Sequence, residues 1–353
     1  MYTACVQAEH ADHNVSMGTV LFDTRRSLMD IFRKKEIVTA IYKEGGFSKA
    51  AKALHIAQPS LSVMVSNIEK EIGARLFDRS TTPVRLTQIG EKYLECCGNI
   101  SMIEEDFISY VNDIKGIEVG EIALGGTTLY MSNIVPDILN EYSVMHPSIH
   151  IRLYDHDTPA LISMLMSGEL DIVIDNLPSE NEQIASHYLG TEYLLIAIPK
   201  SFAVNVKLEN HAYTFEEITA GKHTENLHPA LDYFRPLRKQ PFILLQDGFD
   251  TRRRCDAVFK DYGVRIDPVY ELNQLSSAFG MAASGLGITV VSDTLIRHSP
   301  NWGSHMLYYS VNHSEFIRDV CYYTRKHRML SLALEEFIDI SRELHPFTQS
   351  LPL

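Results

Sequence analysis

The stretch from Phe47 to Gly73 constrains the fold more than any other, because it reads as two short helices joined by a tight turn, which holds the second across the first. Ser48 is placed to cap the first helix, and Ala50, Ala51 and Leu54 give it a small apolar face for close packing. Pro59 suits the start of the second helix, where its missing amide hydrogen costs nothing. Leu61, Val65, Ile68 and Ile72 recur at helical spacing and hold that helix on the first. The opposite face carries Ser60, Ser62, Val63 and Ser66, short groups able to enter a groove. The pattern predicts a helix-turn-helix whose second helix is offered to DNA.

The surrounding sequence extends this reading. From Asp30 to Lys43, Ile31, Ile37, Val38 and Ile41 form a helical stripe that completes a three-helix core, and Gly45-Gly46 ends it. Pro83 and the Ser80-Thr81-Thr82 cluster predict a turn between two short extended pieces, a wing beside the reader. A long helical pattern then reaches about Lys115, with Leu94, Cys97, Ile100, Phe107, Val111 and Ile114 mostly three or four apart. Two readings stand for it: an amphipathic helix packed on its own domain, or a dimerisation helix pairing two readers on half-sites. Residues 1 to 28 show no periodicity and are expected to be a flexible extension, unless the true start is Met17 or Met29.

Beyond Gly116 and Gly120 the rhythm becomes strand, helix, strand, helix, strand, which predicts α/β architecture with a parallel sheet covered on both faces. A weaker, polar stretch from 201 to 240 reads as a connection with a local insertion, and a second alternation follows. The body is therefore expected to be two α/β lobes over 117–353, the first spanning about 117–200 and 305–353 and the second about 201–304. The cleft of such a pair opens at the carboxyl ends of strands, where helix N-termini converge. Thr127, Thr128, Thr158, Asn176, Gln246, Gly248 and Asn273 all fall at or just past strand ends, and free amides with short hydroxyls suit an anionic or amide-bearing solute. The run Arg252-Arg253-Arg254 cannot all point one way on a helix; one reading aims one of the three at the cleft, though solvation is the simpler account.

Composition excludes other classes. The formal charge of -13 is an odd balance for a DNA binder, but bases outnumber acids between Met29 and Gly98, so the acidity lies in the body. No apolar run reaches spanning length and no secretory signal opens the chain, so no membrane association and a cytoplasmic location are expected. The five cysteines show neither a zinc spacing nor a disulfide framework, and Cys255, despite its arginine neighbours, reads as a packed thiol rather than a redox switch. The histidines lack metal-ligand spacing, and no nucleophile elbow, phosphate loop or HExxH helix is present, so no metal, cofactor or catalysis is expected.

The run Ser48, Ala50-Ala51, Leu54, Gln58-Pro59-Ser60-Leu61-Ser62, Ile68-Glu69, Ile72-Gly73, Leu76-Phe77, Arg79 and Leu86-Thr87 with Gly90 resembles the N-terminal signature of LysR-type transcriptional regulators. The segments from Gly168 to Ile174 and from Gly285 to Ile288 resemble that family's effector domain, so the likeness runs from about Met29 to Leu344. It implies a winged helix-turn-helix over 29–90, a linker helix over 91–116 and a two-lobed effector domain like that of periplasmic binding proteins. It further implies ligand-dependent transcriptional control by a homo-oligomer, a dimer or tetramer, with a double-stranded DNA operator, a small-molecule effector and RNA polymerase as partners. Carried over by position, the DNA-binding residues are Ser48, Gln58, Pro59, Ser60, Ser62, Val63, Arg79 and Thr87. Gln58 suits adenine, while Ser62, Arg79 and Thr87 suit phosphates. Val63-Met64 departs from the polar or basic pair common there, and the 201–240 stretch is longer than the usual connection. The runner-up reading is a small-molecule binding protein or enzyme that keeps a helix-turn-helix without an operator.

Overall fold

A computed structural model of the chain describes residues 31–81, 83–114, 120–176, 181–208, 211–225, 235–326, 328–344 and 347. The extension expected over 1–28 lies outside the described residues. The chain divides into two compact units, 1–105 and 106–353.

The first unit is built on α1 (Lys35–Lys43), α2 (Phe47–Ala53) and α3 (Gln58–Ile72), followed by β1 (Phe77–Asp78), β2 (Arg85–Leu86) and the long α4 (Gln88–Ile114). Val38 and Ile41 of α1, Ala50 and Ala51 of α2 and Leu61, Val65 and Ile68 of α3 are buried together, as their spacing requires. Tyr93 and Cys97 on the first turns of α4 join the same core. One expectation of local detail is corrected. Ser48 does not cap α2: the helix begins at Phe47 after an extended Gly46, which leaves Ser48 inside the first turn. The α2–α3 turn places His55 at φ 54, a left-handed position where glycine is the easier residue. β1 and β2 pair antiparallel as a minimal wing, with Phe77 opposite Leu86.

The second unit contains β3 (Gly120–Gly126), α5 (Thr128–Asn133), α6 (Val135–Met145), β4 (Ile149–Asp155), α7 (Thr158–Ser167), β5 (Ile172–Asp175) and β6 (Ile184–Pro199). Then come α8 (Phe215–Thr219), β7 (Ile243–Leu245), α9 (Asp250–Asp261), β8 (Tyr270–Leu272), α10 (Leu275–Ala283) and β9 (Thr289–Ser292). Next in order are α11 (Asp293–Arg297), α12 (Pro300–Gly303), β10 (Met306–Ser310), β11 (Ile317–Arg325) and α13 (Leu332–Glu343).

The main sheet runs β10-β6-β11-β5-β3-β4, with β9 also on β6. It is mixed rather than parallel. β3 is parallel to β4 and β5, whereas β11 runs antiparallel to both β5 and β6. β5 and β6 therefore run in the same direction, and the late strand β11 lies between them in the opposite one. Leu194 to Ala197, assigned by sequence to the first lobe, pair with β9 of the second, while the earlier part of β6 pairs with β11, so β6 meets strands of both lobes. Alternation along these strands feeds a layer on each face. Leu194, Ile196 and Ile198 enter one core and Leu195 and Ala197 another, while Val320 and Tyr322 part from Cys321 and Tyr323.

The 201–240 stretch is packed where it is described. Thr214 and Glu217 form a reciprocal cap at the start of α8, Tyr213 bridges to Tyr308, and His223 is fully buried with Nε2 3.1 Å from Asp293 Oδ2. Cys255 is buried as well, and burial pushes its thiol far above the ordinary range, as a packed thiol requires.

Candidate functional site

The first candidate is the face formed where α2, α3 and the wing meet. α3 holds its apolar side inward, so Gln58, Pro59, Ser60 and Val63 are exposed and Ser62 is half-buried. Gln58 Nε2 donates to Ser62 Oγ at 3.1 Å, linking two successive turns of the helix. A shallow concavity of about 390 Å³ is lined by Ser48, Gln58, Ser62 and Arg79, four of the eight residues carried over from the signature. Arg79 lies over the Phe47 ring at 4.8 Å and donates to Glu69 Oε2 at 3.1 Å, which aims the guanidinium from the wing toward α2. Glu69 Oε1 in turn accepts the amide of Leu76 at 2.9 Å, so this carboxylate ties α3 to the chain that leads into the wing. Thr87 is not part of the concavity's lining. Its hydroxyl donates to Arg75 O at 2.6 Å and accepts from Gly90 N at 3.0 Å, which fixes the turn between the wing and α4.

The second candidate is a cavity of about 720 Å³ in the 106–353 unit, within the range of small-molecule sites. Thr127, Thr128, Thr158, Asn176 and Asn273 stand on its wall, and Gln246 and Gly248 do not. The reason is local: Gln246 is exposed, and the chain turns through Gly248 at φ 94 before Phe249, Asp250 and Thr251 come back to the cavity. Leu129, Leu275 and Trp302 supply apolar wall.

The floor is set by a cross-strand pair that sequence reasoning missed. Arg318 of β11 stands opposite Glu192 of β6. Glu192 is fully buried, and its Oε2 accepts Arg318 Nη2 at 2.6 Å, Arg318 Nε at 2.7 Å and the Tyr130 hydroxyl at 3.1 Å. Arg318 Nη1 donates to Asp250 Oδ2 at 3.0 Å, and the same oxygen accepts Arg254 Nε at 2.7 Å and Asn176 Nδ2 at 2.9 Å. Asn176 follows β5 and Asp250 opens α9, so this contact links one lobe to the other. The arginine run is therefore paired rather than solvated. Arg252 meets Asp247, Asp256 and Glu271, Arg253 meets Asp250 and Glu315, and Arg254 meets Asp250 and Glu315. The signal for the floor in the sequence was a carboxylate and a guanidinium beside apolar runs, Glu192 before Tyr-Leu-Leu and Arg318 after Phe-Ile.

Burial alone would raise the pKa of Asp250, but Arg318 and Arg254 outweigh it and hold the group at about 2. A carboxyl held below its ordinary 3.8 contributes stability that is present above pH 4 and lost as pH falls toward 2. Asp250→Asn is therefore expected to remove about 2 kcal/mol at neutral pH and much less near pH 2. Urea unfolding of both proteins across that window checks it, and a gap independent of pH would reject the assignment. Asp175 moves the other way: burial raises its carboxyl, although Thr158 Oγ1 donates to it at 2.7 Å. Among the described residues no three His, Cys, Asp or Glu side chains are placed to hold a metal ion, and no helix is long and apolar enough to cross a membrane.

Comparison with known proteins fits both candidates. The family model "Bacterial regulatory helix-turn-helix protein, lysR family" matches residues 32–91, and "LysR substrate binding domain" matches 115–215 and 223–346. The HTH-type transcriptional regulator YcgK of Bacillus subtilis (strain 168) is 28% identical over 315 residues, 89% of this chain and 94% of that protein. A full-length OxyR variant from Pseudomonas aeruginosa superposes with a TM-score of 0.63 at 21% identity, covering 88% of this chain and 97% of that one. Full-length CbnR, whose structure was solved with its target DNA, gives 0.55 at 17% identity over 88% of this chain and 99% of its own. The two low-identity likenesses speak for the fold. The family models span most of the sequence, and the chain belongs to the LysR family of DNA-binding transcriptional regulators, with a helix-turn-helix followed by an effector-binding domain.

Proposed function

We propose that a small molecule in the 720 Å³ cavity controls operator binding by the helix-turn-helix of the same chain. The observation that carries this reading is the cavity's position: its wall is drawn from both lobes, and the Asn176–Asp250 hydrogen bond spans them, so a ligand there can favour one lobe arrangement over another. Such a ligand changes DNA affinity only by its differential affinity for the two arrangements. The regulators among its relatives favour a non-catalytic, cytoplasmic role, with RNA polymerase as the downstream partner and no membrane involved. Self-association is expected through α4, whose first turns sit in a core while Ile103, Phe107 and Ile108 expose 57–68% of their surface. An exposed apolar run of this kind suits a second copy of the helix.

On the DNA side, Gln58, Pro59, Ser60, Ser62 and Val63 are the reading surface, with Ser48 and Arg79 at its border. Val63 is 59% exposed and fits a thymine methyl group. Footprinting of the full chain on its own upstream region is the direct test, with protection of an interrupted inverted repeat expected. Ser62→Ala and Arg79→Ala are each expected to weaken that binding about tenfold, and Arg79→Ala to lower the salt slope by about one. Unchanged affinity and slope in both variants would defeat the assignment, and turnover of a small molecule without any footprint would favour an enzyme.

A further inference from the structure

The charges around the cavity say more about its occupant than its hydroxyls do. Arg318, Arg253 and Arg254 are matched by Glu192, Asp250 and Glu315 in one closed network of ion pairs, three groups of each sign. Among the described residues Arg318 is the only lysine or arginine on the wall, and its guanidinium is already held by two carboxylates. Asp155, Asp157 and Asp175 also stand on the wall, and none forms an ion pair among the described residues. Their partners are neutral. Asp155 accepts from the Thr128 hydroxyl at 2.8 Å, Asp157 from the amide of Ala160 at 3.0 Å, and Asp175 from the Thr158 hydroxyl and the amide of Asn176.

These contacts also weaken the case for an anion. Helix N-termini attract anions through free amides, but at α7 the cap Asp157 already holds the amide of Ala160, and the first turn of α9 carries the negative charge of Asp250. A ligand carboxylate near α7 would meet Asp155 and Asp157, with His156 between them as the one basic side chain there and no lysine or arginine to offset the repulsion. A ligand ammonium or guanidinium would instead find acceptors on both, since each uses one carboxylate oxygen in the contacts above and has a second to offer. The start of α10, where Gln274 provides no side-chain cap, remains open for an acceptor on the same ligand, and Trp302 and Leu129 offer apolar contact to its body.

We infer that the effector carries a basic nitrogen, seated against Asp155 and Asp157 beside Asp175, and belongs to the organic amines or guanidines rather than the carboxylic acids. This rests on the cavity being the effector site, and the test separates the two ideas. The full chain is titrated, by thermal shift and calorimetry, with matched compounds: tryptamine against indole-3-propionate, then agmatine and spermidine against succinate and glutarate. At least one amine is expected to bind more tightly than every acid. The double variant Asp155→Asn, Asp157→Asn, which keeps the cap and the hydroxyl contact, is expected to weaken that amine more than tenfold. Ser276→Trp, which fills the cavity, is expected to abolish binding while the protein still melts cooperatively. An acid that binds best and is lost in Ser276→Trp overturns the amine assignment and leaves the site standing. A ligand that binds Ser276→Trp as it binds the parent overturns the site itself. No binding by any amine, or amine binding unchanged in the double variant, overturns the proposal.

Discussion

Arg318→Met is expected to cost the 106–353 unit about 3–5 kcal/mol, the range for removing one partner of a buried ion pair. The arithmetic follows from burial. Arg318 exposes 4% of its side chain and Glu192 none, so Glu192 without its partner would be a carboxylate in an apolar wall. Glu192 has little else to fall back on, since Oε1 has no hydrogen-bond partner among the described residues and the Tyr130 hydroxyl is the remaining donor to Oε2. The arginine also stays charged: burial works against it, but Glu192, Tyr130 and Asp250 raise its pKa further still. Arg318→Met with Glu192→Met should recover most of the loss, because two apolar side chains of similar length replace both charges. The recovery will be incomplete, since Asp250 and Thr251 lose the donor they share. Urea unfolding of the three variants reads these values. A single variant within 1 kcal/mol of the parent, or a double variant worse than the single, would show that the pair does not carry the pairing of β6 and β11.

The reader unit was legible because its constraints are local. A turn only a few residues long, helical spacing of Leu61, Val65 and Ile68 and a glycine after Ile72 leave little freedom, and the helices form within a few residues of where the pattern put them. His55 was not legible, since nothing about a histidine announces a left-handed backbone. The body was legible as alternation and less so as topology. Hydrophobic runs locate β3, β5 and β6, but they do not say that β11 inserts antiparallel between β5 and β6 or that β6 serves two lobes. Those facts depend on which strands meet, and that is settled by packing across the whole unit.

The cavity divides in the same way. Thr127, Thr128, Thr158, Asn176 and Asn273 could be placed on one rim because strand ends gather there in any such fold. Gln246 and Gly248 missed by only a few residues, since one turn through Gly248 decides which side chain faces inward. Arg318 and Glu192 lie 126 positions apart, and their partnership exists only because Arg318 registers opposite Glu192. The carboxylates were visible in the sequence, but not their lack of cationic neighbours. Which charges on the wall are paired is thus a tertiary property.

Gly90→Ala is expected to disrupt the first unit, and its contrast with Gly73→Ala shows why. Gly73 ends α3 at φ 77 with open space around it, so alanine there pays a conformational cost of about 1 kcal/mol and nothing more. Gly90 sits in the first turn of α4, and a Cβ there would lie 2.0 Å from Leu76 O and 2.9 Å from Leu76 C. Those are backbone atoms, so no rotamer change relieves the contact. Moving the turn away would break the Thr87 contacts with Arg75 O and Gly90 N, and the amide of Thr87 would lose Leu76 O at 2.9 Å. Leu76 and Phe77 would then be drawn from the core they share with Leu61 and Val65. The combined cost is on the order of 3 kcal/mol or more, a large part of the stability of a unit this small. Gly90→Ala should therefore abolish operator binding and lower the first unfolding transition, while ligand binding by the 106–353 unit persists. Gly73→Ala should keep both functions. If Gly90→Ala proved no worse than Gly73→Ala, the close approach of α4 to Leu76 would not be what anchors the reader.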